Sequence, residues 1–221
     1  MTTGKQAYPL WDLPVRLIHW SLVLCLPLAW WTAEEDNYDL HSKVGYTVLI
    51  LVATRILWGV VGSRHARFTD FLVGPAAILR YLKGLGARSQ GHNPLGGWAV
   101  IVLLLLLLAQ ASSGLFNSDD VLFNGPFYYA ANSDFRDFMG VVHENAFDLL
   151  LAFIVLHIAA VVFHQFRLRE KLVQAMVRGR AEGREGLAPP ASAWLAVAIA
   201  VVFAVGLAVA LDYAPQPQPM W

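Results

Sequence analysis

The chain has 221 residues, 57% of them hydrophobic and only 14% charged, with no formal net charge and a mean hydropathy of +0.51. Soluble domains carry about a quarter charged residues, so the composition points to an integral membrane protein, and no nucleic-acid partner is expected. The single cysteine, Cys25, lies in an apolar run and reads as a small packed hydrophobe; it rules out an internal disulfide framework, a thiolate iron–sulfur cluster built by this chain alone, and a C-x-x-C-H haem attachment.

The first apolar run lacks a small-residue cleavage site and contains His19, so it reads as a retained anchor rather than a signal peptide. Five stretches reach the length of about 20 residues needed to cross a bilayer: 15–32, 41–61, 98–116, 142–166 and 193–211. The expected fold is an all-α integral membrane protein: a four-helix bundle over residues 1–180, then a linker, a fifth helix and a short tail over 181–221.

Orientation follows from lysine and arginine. Lys5 and Arg16 precede or open the first span. Arg64, Arg67, Arg80, Lys83 and Arg88 follow the second, and Arg167, Arg169, Lys171, Arg178, Arg180 and Arg184 follow the fourth. The opposite side has only Lys43 and Arg136. The amino terminus and both basic connections are therefore expected in the cytoplasm, and the tail YAPQPQPMW outside.

The outer connections are acidic, with Glu34, Glu35, Asp36 and Asp39 in the first and Asp119, Asp120, Asp134 and Asp137 in the second. They form either a solvated face or a docking field for a cationic partner. The aromatic residues of the second (Phe123, Phe127, Tyr128, Tyr129, Phe135, Phe138) suit an interfacial belt. On the inner side, Gly74-Pro75 opens PAAILRYLKGL, a helix lying on the membrane surface, and Asn93-Pro94 caps and opens the third span. His92 is expected to be solvated or bonded to loop backbone, and His65, between Arg64 and Arg67, to have no special role. In the fifth span Ala196, Ala200, Ala204 and Ala208 recur every fourth residue. That seam makes the helix a packing or dimerising element, with a homodimer as one outcome, or a plain anchor.

The remaining histidines carry the functional argument, because ionisable residues inside a span are expensive and default to function. The fourth span holds His143, His157 and His164. Fourteen residues separate the first two, a rise of roughly 21 Å and a net rotation of about 320°, so both face one side at different depths. The second and fourth spans run inward and the first outward. Depth therefore pairs His41 with His143 at the outer side and His19 with His157 at the inner side. Two such pairs suit b-type haem, held without covalent attachment between facing imidazoles, with both axial positions filled for electron transfer. Zinc fits less well, since neither depth offers a third or fourth ligand. Gly45, one turn after His41, and Gly140, just before His143, would give a macrocycle room, although Gly45 could equally serve helix packing. Arg16 and Arg55 would both lie near the inner haem, facing its propionates or snorkelling to the interface. His164 could replace His157 as a ligand or contact a propionate, a quinone or solvent; propionate or solvent is the favoured reading.

At these residues the chain resembles the bacterial cytochrome b561 and nickel-hydrogenase b-type cytochrome family. The resemblance rests on PVRLIHW, LHSKVGY…TRILWGVVG, GHNP, HE…LH and REKLVQAMVRGR, covering about residues 8–180. It implies a di-haem four-helix protein of the bacterial inner membrane with His19, His41, His143 and His157 as iron ligands. It also implies electron transfer between the quinone pool and a periplasmic partner, either a c-type cytochrome or hydrogenase subunits. The fifth helix departs from the usual pattern. Such a chain is an electron-transfer protein or an oxidoreductase subunit. A competing expectation is a superoxide:quinone oxidoreductase, which the acidic outer face disfavours because it would repel an anionic substrate.

Overall fold

A computed structural model describes residues 8–85, 91–119, 123–180 and 185–216; Lys5, Arg88, Asp120, Arg184 and the last five residues of the tail (217–221) lie outside this set. Helix α1 (Leu13–Glu34) starts where the buried Asp12 accepts a hydrogen bond from the Val15 N–H at 2.8 Å, with proline in the first turn. Helix α2 (Tyr38–Val61) is capped by the Asn37 side chain and ends at Gly62. A short 3-10 turn (Arg64–Ala66), α3 (Phe68–Phe71) and the surface helix α4 (Pro75–Leu82) follow. Asn93 then caps α5 (Pro94–Ser113), accepting from the Gly96 N–H at 2.7 Å.

Helix α6 (Ser133–Val162) begins well before the expected position 142, because Asn132 caps it at 2.9 Å and draws part of the second acidic connection into the helix. It runs on through a π-helical turn (Phe163–Arg167). Helix α7 (Leu172–Arg178) stops at Gly179, whose φ of +75° is the left-handed conformation that favours glycine at a helix end. Helix α8 (Ala193–Asp212) completes the chain. Helices α1, α2, α5, α6 with its π turn, and α8 are each long and apolar enough to cross a membrane. With helices throughout and no named strands among the described residues, the protein is an all-α, multi-pass membrane protein.

Three backbone pairings build the bundle: α1 on α2, α5 on α6, and α2 on α5. Helix α6 meets α1 and α2 through side chains rather than through close backbone packing. Midway along the bundle, Val48, Val52, Leu104, Leu107 and Leu150 form an apolar layer. Val48 lies halfway between His41 and Arg55, and Leu150 halfway between His143 and His157, so this layer separates the two histidine depths.

Helix α8 packs on α2 and touches α1, with Ala196 and Ile199 buried beside Val15 and Trp58. Its approach is stitched in place at the basic end. Gly186 pairs with Tyr8, the Leu187 N–H donates to His65 Nε2 at 3.3 Å, and the Ala191 N–H donates to Ser63 Oγ at 3.0 Å. The Leu10 N–H donates to the Gly179 carbonyl at 2.8 Å. His65 thus has a structural role that its sequence context does not suggest. It is buried, and because Nε2 accepts, Nδ1–H donates to Asp70 at 2.8 Å.

Candidate functional site

The four histidines meet in the expected pairs. The rings of His41 and His143 lie 6.4 Å apart between centroids, and those of His19 and His157 lie 6.5 Å apart. Two imidazoles bound to one metal at about 2.0 Å each would have centroids about 6.2 Å apart, so both pairs stand at bis-imidazole separation. Among the described residues no cluster of three or more histidine, cysteine or carboxylate side chains could hold a metal ion. Two imidazole donors per site would suit a haem, which would need no further protein ligand.

The imidazoles at the acidic end are held firmly. His41 Nδ1 lies 2.9 Å from the Ala29 carbonyl, which can only accept, so Nδ1 carries the proton and Nε2 keeps its lone pair. His143 Nδ1 lies 3.0 Å from the Gln110 carbonyl, with Ser113 Oγ at 3.1 Å. The Gln110 amide nitrogen stands 3.1 Å from His143 Nε2 and donates to it, which requires the same tautomer. The Nε2 lone pair of His143 is thus the one that Gln110 engages, and the Gln110 amide oxygen is buried without a partner. Gly114 leaves room for this ring: a Cβ there would lie 3.0 Å from His143 Cε1. Gly45 faces open space, with nothing within 4 Å of a Cβ added there, so it leaves room beside His41. Gly140 instead packs toward Asn117 Oδ1, 3.4 Å from such a Cβ.

The pair at the basic end is held differently. His19 Nδ1 is buried and has no hydrogen-bond partner. Trp20 sits edge-on to its ring at 5.0 Å. Arg55 is 6% exposed, and one of its terminal nitrogens has no partner. Its guanidinium lies 5.4 Å from the centre of the Phe68 ring. A buried guanidinium with a free donor is a seat for an anionic group such as a haem propionate. Arg16 is placed otherwise: it donates to the carbonyls of Met176 and Val177 and so caps the end of α7. His164 sits in the π turn with Nδ1 3.1 Å from Glu170. His92 is wedged between the rings of Trp11 and Phe71, at 4.6 and 4.5 Å. Burial, and then the nearby Arg55 charge, push its pKa down to about 3.

Gln110, Ser113 and Gly114 are absent from the residues singled out by sequence. The available signal is Gln110 itself, a polar side chain closing an otherwise apolar run.

A helical membrane bundle whose facing histidines match bis-imidazole ligation is the framework of a b-type cytochrome. The chain belongs to the prokaryotic cytochrome b561 family, whose profile matches residues 10–179. A similar protein, 23% identical over 82% of this chain and 89% of its own length, is the "Probable Ni/Fe-hydrogenase B-type cytochrome subunit" of Bradyrhizobium diazoefficiens. No solved structure matches. Family membership makes this a transmembrane electron-transfer cytochrome b and implies haem b as its cofactor.

Proposed function

We propose that the chain carries electrons between the membrane quinone pool and a redox partner on the periplasmic side, through two b haems stacked across the bundle. The observation that carries this reading is the pair of imidazole separations, 6.4 and 6.5 Å, at two depths on opposite sides of an apolar layer. When bound, the haems supply one-electron iron chemistry; the chain supplies ligands, spacing and insulation. His41 and His143 would hold the outer haem, and His19 and His157 the inner one. Gly45 would give the outer macrocycle room, and Arg55 would face an inner propionate. Arg16 and His164 lie at the same end, engaged with the α7 carbonyls and with Glu170, and neither is assigned an iron-binding role.

The amino terminus and the basic connections would face the cytoplasm, by the distribution of lysine and arginine. The acidic connections would then face the periplasm and suit a cationic docking surface. A hydrogenase is one partner consistent with the relative's name, and a c-type cytochrome another. Association with a cationic partner should weaken as salt screens the charges.

Haem content tests the reading. The purified protein should contain two b haems per chain. His143→Ala should lose the outer haem and keep the inner, His157→Ala should do the reverse, and His164→Ala should keep both. A wild-type content of one haem or none would sink the proposal.

A further inference from the structure

The two ends differ most in what their imidazoles donate to. At the acidic end both ligand rings give their Nδ1 proton to a backbone carbonyl: His41 to Ala29 at 2.9 Å and His143 to Gln110 at 3.0 Å. Such a bond draws the N–H proton away from the ring and raises the basicity of the metal-facing nitrogen. A more basic ligand favours the more positive, oxidised iron. At the basic end His19 Nδ1 is buried with no partner, and His157 makes no side-chain hydrogen bond among the described residues. These rings are weaker donors to iron.

Charge acts in the same direction. Arg55 is a buried cation in the half of the bundle that holds His19 and His157. Positive charge in a poorly screened interior favours the site that has gained an electron. Asp12, the anion acting on Arg55, is already engaged by the Val15 N–H and the Trp58 indole. A propionate opposite Arg55 would make that pair neutral, whereas among the described residues a propionate at the other end would meet no comparable buried cation. Glu34, Glu35, Asp36 and Asp39 fall within seven residues of His41 along the chain, with Asp39 paired to Lys43 at 2.6 Å. They add a smaller, screened push against reduction there.

We infer that the haem held by His41 and His143 is the more reducing of the two, so that a single electron shared between them rests on the haem held by His19 and His157. The inference deepens the two-haem reading and rests on it. In each transfer the iron at the acidic end is oxidised and the iron at the basic end is reduced by one electron, with no bond made or broken. A bias of about tenfold would correspond to about 59 mV for one electron. The arrangement favours entry of electrons at the acidic end.

Spectroelectrochemical titration of the two-haem protein tests the order. Titrating His143→Ala and His19→Ala separately assigns each wave, and the haem kept by His143→Ala should have the higher midpoint. Equal midpoints, or the opposite order, overturn the inference while leaving the two-haem reading intact. If either variant fails to fold, the wild-type protein in sealed vesicles gives the same answer. It is poised between the two waves, and an impermeant paramagnetic chelate is added to one side. The remaining oxidised-haem resonance should broaden from the acidic side; broadening only from the basic side overturns the assignment. A wild-type preparation with fewer than two haems removes the reading and this inference together.

Discussion

Replacing Gly114 with alanine separates the fit of one imidazole from the stability of the helix that supports it. Gly114 sits at the end of α5 with helical torsions, φ −59° and ψ −22°, which alanine adopts without strain. The added methyl group would lie 3.0 Å from His143 Cε1 and 3.4 Å from Nδ1. Carbon atoms prefer separations of about 3.5–4.0 Å, so the ring must retreat by roughly 0.5–1 Å. Retreat stretches the 3.0 Å bond from Nδ1 to the Gln110 carbonyl and alters the 6.4 Å separation from His41. Disturbing such a supporting bond typically weakens metal binding by about 10–100-fold, which is about 1.4–2.7 kcal/mol.

The assay is transfer of haem from detergent-solubilised protein to an excess of a haem-scavenging apoprotein, followed in the Soret band. In Gly114→Ala one phase of release should accelerate by about 10–100-fold and the other should be unchanged. The unfolding midpoint of the haem-free variant should fall only slightly, since the better helix propensity of alanine offsets part of the cost of the stretched bond. Unchanged release in both phases, or equal acceleration of both, would refute the geometry assigned to His143.

Two further predictions concern the ends of the helices. Asp12→Ala removes the α1 cap and the acceptor of the Trp58 indole, whose N–H then lies buried and unpaired. The cap contributes about 1 kcal/mol and the stranded donor costs about 1–3 kcal/mol. Thermal unfolding followed by tryptophan fluorescence should show a clear loss, and Asp12→Asn, which keeps an acceptor oxygen, a smaller one. His92, with its pKa lowered to about 3, remains neutral in the folded protein at pH values where an unfolded chain would protonate it. Its pKa is 6.5 when unfolded, so stability is fully present above that pH. It falls as pH drops toward 3, by roughly 1.4 kcal/mol per unit for this group. His92→Gln should flatten that part of the stability profile; an unaltered slope would place the titration elsewhere.

The parts legible in the sequence were those with a local physical signature. Apolar length marks all five spans, and the fourteen-residue spacing in α6 puts His143 and His157 on one face, where they meet His41 and His19. The helix starts at Asp12 and Asn93 are equally local, one residue capping another three positions on. Other features depend on contacts between residues far apart in the chain. His65 looks like a solvated loop residue until Leu187 and Asp70 fold onto it. Arg16 shares the expected face with His19, yet the carbonyls of α7 engage its guanidinium. Gln110 matters because its carbonyl and amide address the two nitrogens of one ring on another helix. No period or spacing encodes such a meeting.

The pairing of Tyr8 with Gly186 has a consequence for biogenesis. The strand of chain that leads into the first helix has its partners at Gly179 and Gly186, near the last residues made before α8. A ribosome must therefore reach at least residue 186 before the segment around Tyr8 can settle. During synthesis the end of the bundle nearest His19 and His157 stays unsealed after the end holding His41 and His143 can already close. A chain arrested ahead of residue 186 would leave the membrane machinery with a bundle open at one end, a natural handle for quality control.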